Sequence, residues 1–317
     1  MSGSPTSGTL LIAPHQFPDV ERELRLAADH GLDVVVAADQ AAFSTAMPTA
    51  TVVMVTPYAR VGKNEIDAMR QCKGIVRYGI GYDNIDVAAA TQARVPISIV
   101  PDASTEEVAS HAFAMGLALI RRIPAGQASV AAGTWASAVA ADLPVLSDLT
   151  VGVVGMGRIG RMVAQWWAAV GARVVGYDPI AHVNGIQAVT LADLLSGSDV
   201  ISLHVPMTPE TKHMISSGTI AEMKDRPVIV NVSRGGLIDE QALAAALVSG
   251  RVAGAALDVF EAEPLPRDNP LRQAPNAILT PHAAWKSRSS LAALQAGAVD
   301  RARALLDGRR PMDLVTA

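Results

Sequence analysis

Short β-branched runs alternate with longer Ala-rich stretches along the whole chain, the pattern of parallel sheets covered by helices on both faces. In the first third, Leu10–Ala13, Val34–Ala37, Val52–Val55, Ile75–Tyr78 and Ile97–Val100 predict strands. Helices over Asp19–His30 and Lys63–Cys72 fall between them, and this small doubly wound unit closes at Pro101. A long helix is predicted next, from Ser104 to Arg122, with Val108, Ala112, Met115 and Leu119 at helical spacing. Ser104 and Glu107 suit a capping box at its start. The pattern does not choose between a bridge linking two domains and a dimer seam. Gly126 to Asp148 reads as irregular, anchored by Trp135. A second doubly wound unit begins at Leu149, with further strands at Val200–Val205, Val228–Val232, Gly254–Val259 and Ile278–Thr280, and a helical tail over Ser287–Asp307.

The second unit opens on Gly155-Met156-Gly157-Arg158-Ile159-Gly160, set between the apolar run Leu149–Val154 and the helical run Met162–Val170. Asp178 closes the following strand, about 20 residues on, the spacing of a dinucleotide-binding fingerprint. The first glycine permits the tight turn, the second lets a pyrophosphate approach the backbone, and the third lets helix and strand pack. Free N–H groups and the positive end of the helix dipole then favour the phosphates. Asp178 is expected to accept from the ribose hydroxyls and to repel a 2′-phosphate. No arginine follows it in Pro179-Ile180-Ala181-His182, so NAD is expected over NADP.

Composition narrows the partners. Of 317 residues, 50% are hydrophobic and 18% charged, and the net charge is −4 with no basic block, which argues against nucleic acid. The single cysteine, Cys72, excludes an internal disulfide framework, fits a reducing compartment and reads as a small residue on a helix face. No apolar stretch is long enough to span a membrane. Met1–Gly8, rich in Ser, Gly, Pro and Thr, reads as a disordered tail without signal-peptide features, so a cytoplasmic protein is expected. No metal site is expected.

In open α/β sheets, ligands bind beyond the carboxyl ends of the strands. Those ends carry Ser233-Arg234-Gly235-Gly236, then Asp258, Glu261 and Glu263, then Pro281-His282. One arginine, one or two carboxylates and one histidine thus share an edge with the glycine loop. An arginine grips a carboxylate in a bidentate fork and polarises a neighbouring carbonyl. A histidine exchanges a proton with an alcohol near neutral pH, and an adjacent glutamate orients it and stabilises its cation. These are the parts required for hydride transfer on a 2-hydroxy or 2-oxo acid.

The motifs resemble those of the D-isomer-specific 2-hydroxyacid dehydrogenases. The resemblance runs from Asp19 to Asp307 and rests on Val153–Gly160, Asn231–Asp239, Ala256–Pro264 and Leu279–His282, in that order. It implies a flavodoxin-like substrate domain, residues 1–101 plus 286–317, and a Rossmann NAD-binding domain, residues 102–285. It also implies a homodimer built on the cofactor domain and a substrate held in the cleft between domains. By resemblance Arg234 binds substrate, Glu263 rather than Glu261 is the catalytic carboxylate, and His282 is the acid/base. Asp258 is expected at the nicotinamide carboxamide, with Val108, Thr105 and Val232 near the cofactor. Arg77–Asp86 resembles the loop that holds the substrate carboxylate, implicating Ile80, Gly81 and Arg77. Arg77 and His282-Ala283-Ala284-Trp285 resemble the C-terminal-binding-protein branch, whose members sense NADH and bind repressors, which places Trp285 near the substrate. That branch has a polar residue where this chain has Ile80. An NADH-sensing scaffold is therefore the alternative to the oxidoreductase, as is a short phosphoglycerate dehydrogenase. With the chain ending at Ala317, no regulatory domain is expected. Pro311-Met312-Asp313-Leu314 resembles the short peptide recognised by C-terminal-binding proteins, but four residues match by chance too easily to carry weight.

Overall fold

A computed structural model describes residues 8–135, 143–181 and 184–315. Residues 1–7 of the N-terminal tail, residues 136–142 of the segment expected to be irregular, and His182 lie outside the described residues. The chain forms two compact units, Met1–Ser104 with Lys286–Ala317, and Thr105–Trp285.

In the first unit, β1 (Thr9–Ile12), β2 (Asp33–Val36), β3 (Ala50–Val55), β4 (Gly74–Arg77) and β5 (Ile97–Ile99) form a sheet of order β2-β1-β3-β4-β5. Every pairing is parallel. This is the flavodoxin-like order, with its switch point between β1 and β3. The central strand β3, Ala-Thr-Val-Val-Met-Val, is buried at every position, as a strand covered on both faces must be. One face packs Leu11, Val53, Val55, Ile75 and Ile97 under Phe43, Met47 and Ile66. Helices α1 (Glu21–Asp29) and α11 (Arg288–Leu306) pack on each other, and α11 lies on β3 and β4. The start of α11 is capped by Ser287, whose Oγ accepts from Ser290 N while its own N–H donates to Ser290 Oγ. Beyond α11, Leu314 bridges Ser98 in antiparallel fashion, so the Pro311–Leu314 segment borders β5.

Two expectations in this unit are corrected. Helix α3 is only Lys63–Ala68, because Met69 turns extended. Cys72 therefore lies off the helix, where its thiol faces the Gly74 carbonyl and burial pushes it up to about 12. The unit also contains two short helices that the apolar pattern does not predict, α2 (Gln40–Ala46) and α4 (Val87–Gln92). Each is announced by a capping aspartate, Asp39 or Asp86, rather than by a long apolar stripe.

The second unit begins with α5 (Thr105–Ile120) and α6 (Ile123–Ala131). The latter occupies the start of the segment expected to be irregular. Its proline sits in the first turn, where a missing N–H costs nothing, and Arg122 in the left-handed region breaks it from α5. Trp135, expected as an anchor, is 78% exposed. Strands β6 (Thr150–Val154), β7 (Arg173–Tyr177), β8 (Gln187–Ala188), β9 (Val200–Leu203), β10 (Val228–Asn231), β11 (Gly254–Leu257) and β12 (Ala277–Leu279) form an all-parallel sheet of order β12-β11-β10-β9-β6-β7-β8. The order reverses between β6 and β9, so the glycine loop after β6 stands at the switch point, where a doubly wound sheet opens a crevice. One face is covered by α5 and α7 (Arg158–Ala169), with Ala109, Ala112, Met115 and Trp167 on Val151, Val153 and Val230. The other is covered by α8 (Leu191–Gly197), α9 (Ser217–Glu222) and α10 (Glu240–Ser249), around Leu194, Ile220, Leu243 and Leu247. Among the described residues, no helix is long and apolar enough to cross a membrane.

Candidate active site

The glycine loop is built around contacts only glycine allows. Gly155 has φ +92°, and a Cβ there would overlap the His204 carbonyl. A Cβ on Gly160 would overlap the Gly155 carbonyl, so α7 can start this close to β6 only without it. Gly157 differs: a Cβ would meet no protein atom within 4 Å, so open space faces the N-cap of α7. No side chain caps that end, and Gly157 and Arg158 are exposed while Ile159 packs partly on the core. Uncapped N–H groups beside open space form an anion cradle. Nearby, His204 is held by Ser202 at 2.7 Å through Nε2, and its buried Nδ1 has no hydrogen-bond partner among the described residues. Burial pushes that imidazole down to about 3, so it is neutral.

Asp178 braces the same loop. Its Oδ2 accepts from Met156 N at 2.7 Å, and its Oδ1 accepts from Ile180 N and Ala181 N, both at 2.8 Å. Partial burial works against its charge. The three N–H donors and the nearby Arg161 cation outweigh that, holding the carboxyl below its usual range. These residues fit an NAD pyrophosphate and ribose: a charged acceptor, an uncapped helix start and a glycine that leaves room.

The remaining strand ends are joined by backbone contacts. A Cβ on Gly235 would overlap the Phe260 carbonyl and Glu261 N, so the loop after β10 lies directly on the loop after β11. That contact brings Arg234 to Glu263, whose carboxylate it helps to keep charged. Asn231 braces Arg234 from behind, donating from Nδ2 to the Arg234 carbonyl at 2.8 Å, and Arg234 Nη1 donates to the Ser233 carbonyl at 2.6 Å.

The two glutamates part company. Glu261 pairs with His213, and its N–H is held by Glu240 Oε1 at 2.7 Å. Glu263 turns the other way. Its Oε1 accepts from Phe260 N at 3.0 Å, and its Oε2 lies 2.7 Å from His282 Nδ1. Desolvation opposes the Glu263 charge, but the His282 contact, the Phe260 N–H and Arg234 together hold its carboxyl below the usual range. His282 and Glu263 keep 35% and 36% of their side chains exposed, so the pair is open to a ligand.

His282 itself sits at φ +50°, a conformation costing about 1–3 kcal/mol that persists only where surroundings enforce it. Here they do. His282 N donates to the Asp258 carbonyl at 2.8 Å, and Trp285 Nε1 donates to the His282 carbonyl at 3.0 Å. The Asp258 carboxylate, only 1% exposed, accepts from Thr280 Oγ1, Ala283 N and Ala284 N. Asp258 and Trp285, expected at the nicotinamide and the substrate, thus both grip the turn that carries His282. Val108 and Val232 lie in or against the core beneath α5.

In the first unit, Arg77 ends β4 with its guanidinium folded onto the Tyr78 carbonyl and under Gly79, and the residue is only 9% exposed. Ile80 is 49% exposed in the following loop, beside Gly81. The sequence pattern does not single out His111, His204 or His213. For His111 a signal existed: a polar residue interrupting the buried stripe of Ala109, Ala112 and Met115 on α5.

Comparison with known proteins places the chain in one family. The profile for the D-isomer specific 2-hydroxyacid dehydrogenase NAD binding domain matches residues 113–284. A glyoxylate reductase from Korarchaeum cryptofilum is 38% identical over 257 residues, 78% of this chain and 77% of that protein. A D-3-phosphoglycerate dehydrogenase from Archaeoglobus fulgidus is 40% identical over 249 residues, 77% of this chain. The chain spans about half the length of the curated phosphoglycerate dehydrogenases it matches, 47% in that case. Among solved structures, the Aquifex aeolicus D-lactate dehydrogenase complexed with NAD and lactic acid is 29% identical, with a TM-score of 0.86 over 94% of this chain and 96% of that one. The chain belongs to the D-isomer specific 2-hydroxyacid dehydrogenase family, with residues 113–284 matching that family's NAD binding domain.

Proposed function

We propose that the protein is an NAD-dependent oxidoreductase that interconverts a 2-oxo acid and a D-2-hydroxy acid. The observation that carries this reading is the 2.7 Å contact between Glu263 and His282 Nδ1, on the sheet edge that also bears Arg234 and the glycine loop. When bound, the nicotinamide supplies or accepts the hydride. Gly155, Gly157, Arg158, Ile159 and Gly160 offer the pyrophosphate cradle, and Asp178 takes the ribose.

Glu263 accepts a hydrogen bond from the Nδ1–H of His282, which leaves Nε2 as the atom that gives a proton to the substrate carbonyl oxygen or takes one from the hydroxyl. The fixed negative charge beside the ring stabilises the imidazolium formed in the oxidative direction. Arg234 binds the acid through its guanidinium and polarises the carbonyl. In the first unit, the Ile80-Gly81 backbone is the proposed carboxylate-binding segment, with Arg77 supporting it from beneath. The protein is proposed to work in the cytoplasm as a homodimer.

The test is NADH oxidation with glyoxylate, hydroxypyruvate, pyruvate and aromatic 2-oxo acids, and NAD reduction with D-3-phosphoglycerate. Turnover of at least one is expected. Tight NADH binding without any turnover would replace the enzyme reading with an NADH-responsive binding protein.

A further inference from the structure

The second unit holds a half-buried histidine that the proposed proton transfer does not use. His111 Nε2, on α5, lies 3.1 Å from Thr280 Oγ1, and Thr280 Oγ1 lies 2.5 Å from Asp258 Oδ1. His111 Nε2 is itself 3.7 Å from that carboxylate oxygen. The direction of these bonds follows from what each group can offer. A carboxylate only accepts, and the threonine hydroxyl has one hydrogen. The 2.5 Å contact claims it, in preference to Met115 Sδ at 3.9 Å. Thr280 Oγ1 is then an acceptor toward His111, so His111 Nε2 carries a hydrogen and donates.

The chain therefore runs from α5 through Thr280 into Asp258. The same carboxylate takes the N–H groups of Ala283 and Ala284, at 2.9 and 2.8 Å, on the far side of His282. His282 sits in the middle of this turn in the left-handed region, a conformation that must be imposed from outside.

We propose that His111 is a positioning residue, the donor at the head of a His111–Thr280–Asp258 chain that ties the His282 turn to α5 and sets the imidazole against Glu263. The proposal rests on the dehydrogenase reading for its kinetic consequence but not for its structural one. A misplacement of about 1 Å at a reacting group lowers turnover on the order of 10²-fold. His111→Ala should accordingly reduce kcat by roughly 10- to 100-fold, with little change in the KM for the oxo acid or the Kd for NADH. His111→Gln, which keeps a side-chain N–H donor, should recover much of that loss. Thr280→Val breaks the chain without emptying the space and should match His111→Ala.

The second readout is the 15N resonance of His282 Nδ1, which reports its hydrogen bond to Glu263 and needs no turnover. It should shift in His111→Ala and Thr280→Val and stay near the wild-type position in His111→Gln. An unmoved Nδ1 resonance in both chain-breaking variants overturns the proposal, whatever the kinetics. So does a parallel loss of kcat, NADH binding and thermal stability, the mark of a merely structural histidine. If the wild type reduces no oxo acid, the dehydrogenase reading fails while the Nδ1 resonance still decides the positioning role.

Discussion

The two sheets are built on the same plan, yet their carboxyl edges are finished differently. In the second unit, carboxylates tie the strand-end loops down: Asp178 holds Met156, Glu240 holds Glu261, and Asp258 holds Ala283 and Ala284. In the first unit, the loops after β3 and β4 are joined by Asn84, whose Nδ2 donates to the Thr56 and Ala59 carbonyls, and they leave Tyr58, Ile80 and Tyr82 exposed at 46%, 49% and 38%; Arg60 is exposed there, while Arg77 at the end of β4 turns inward. Charge-assisted bonds to backbone N–H groups fix angles, which proton and hydride transfer require. Exposed apolar side chains offer shape, which distinguishes one small acid from another. On the proposed reading, the chemistry is concentrated in the second unit and the choice of acid in the first.

The hardest blow to this contrast is His282→Ala. It should lower kcat on the order of 10²–10⁴-fold while NADH still binds, as measured by steady-state kinetics and fluorescence titration. Near-normal turnover would take His282 out of the mechanism. Asp178→Ala comes next: losing a charged acceptor should move the ratio of kcat/KM for NADPH over NADH up about tenfold or more. An unchanged ratio would refute its ribose role.

The Gly235→Ala variant then separates the two edges by stability. Its methyl has only backbone to displace, so unfolding in denaturant should show a loss of about 1–3 kcal/mol. Ile80→Ala in the first unit should change stability by less than about 0.5 kcal/mol while altering the ranking of 2-oxo acids. A large stability loss there, with the ranking intact, would erase the distinction.

The smallest effect is a difference in pH response. Desolvation disfavours the Glu263 charge, but its partners depress its folded value, so its contribution is present above the ordinary carboxylate range and lost as pH falls through that depressed value. His30, between α1 and α11, is raised above 6.5 chiefly by its hydrogen bond to Asp307 and also by the Leu26 carbonyl. Its contribution is full below 6.5 and lost as pH rises through the folded value. Glu263→Gln should flatten the acid arm of a melting-temperature profile, and His30→Ala the alkaline arm. The reverse assignment would show that the ionic contacts named here do not set those arms.

Much of the second unit was legible because its signals are local. Gly155 to Gly160 follow a strand and open a helix, and Arg234, the two glutamates and His282 fall at consecutive strand ends once the strands are read. Distances in space were not legible. Glu261 and Glu263 differ by two positions, and only the folded loop sends one to His213 and the other to His282. Asp258 looks like a ligand-facing acid at the end of β11, yet its neighbours are N–H groups contributed 25 and 26 residues later. Arg77 looks available at the end of β4, but the left-handed Gly79 leaves room for the guanidinium to fold back beneath it. The short helices α2 and α4 escaped because two turns carry too little periodicity.

Gly235 has a consequence beyond its own loop. One hydrogen in place of a methyl group makes Arg234 and the Glu263–His282 pair parts of a single piece, so substitutions that retune the choice of acid in the first unit need not disturb it.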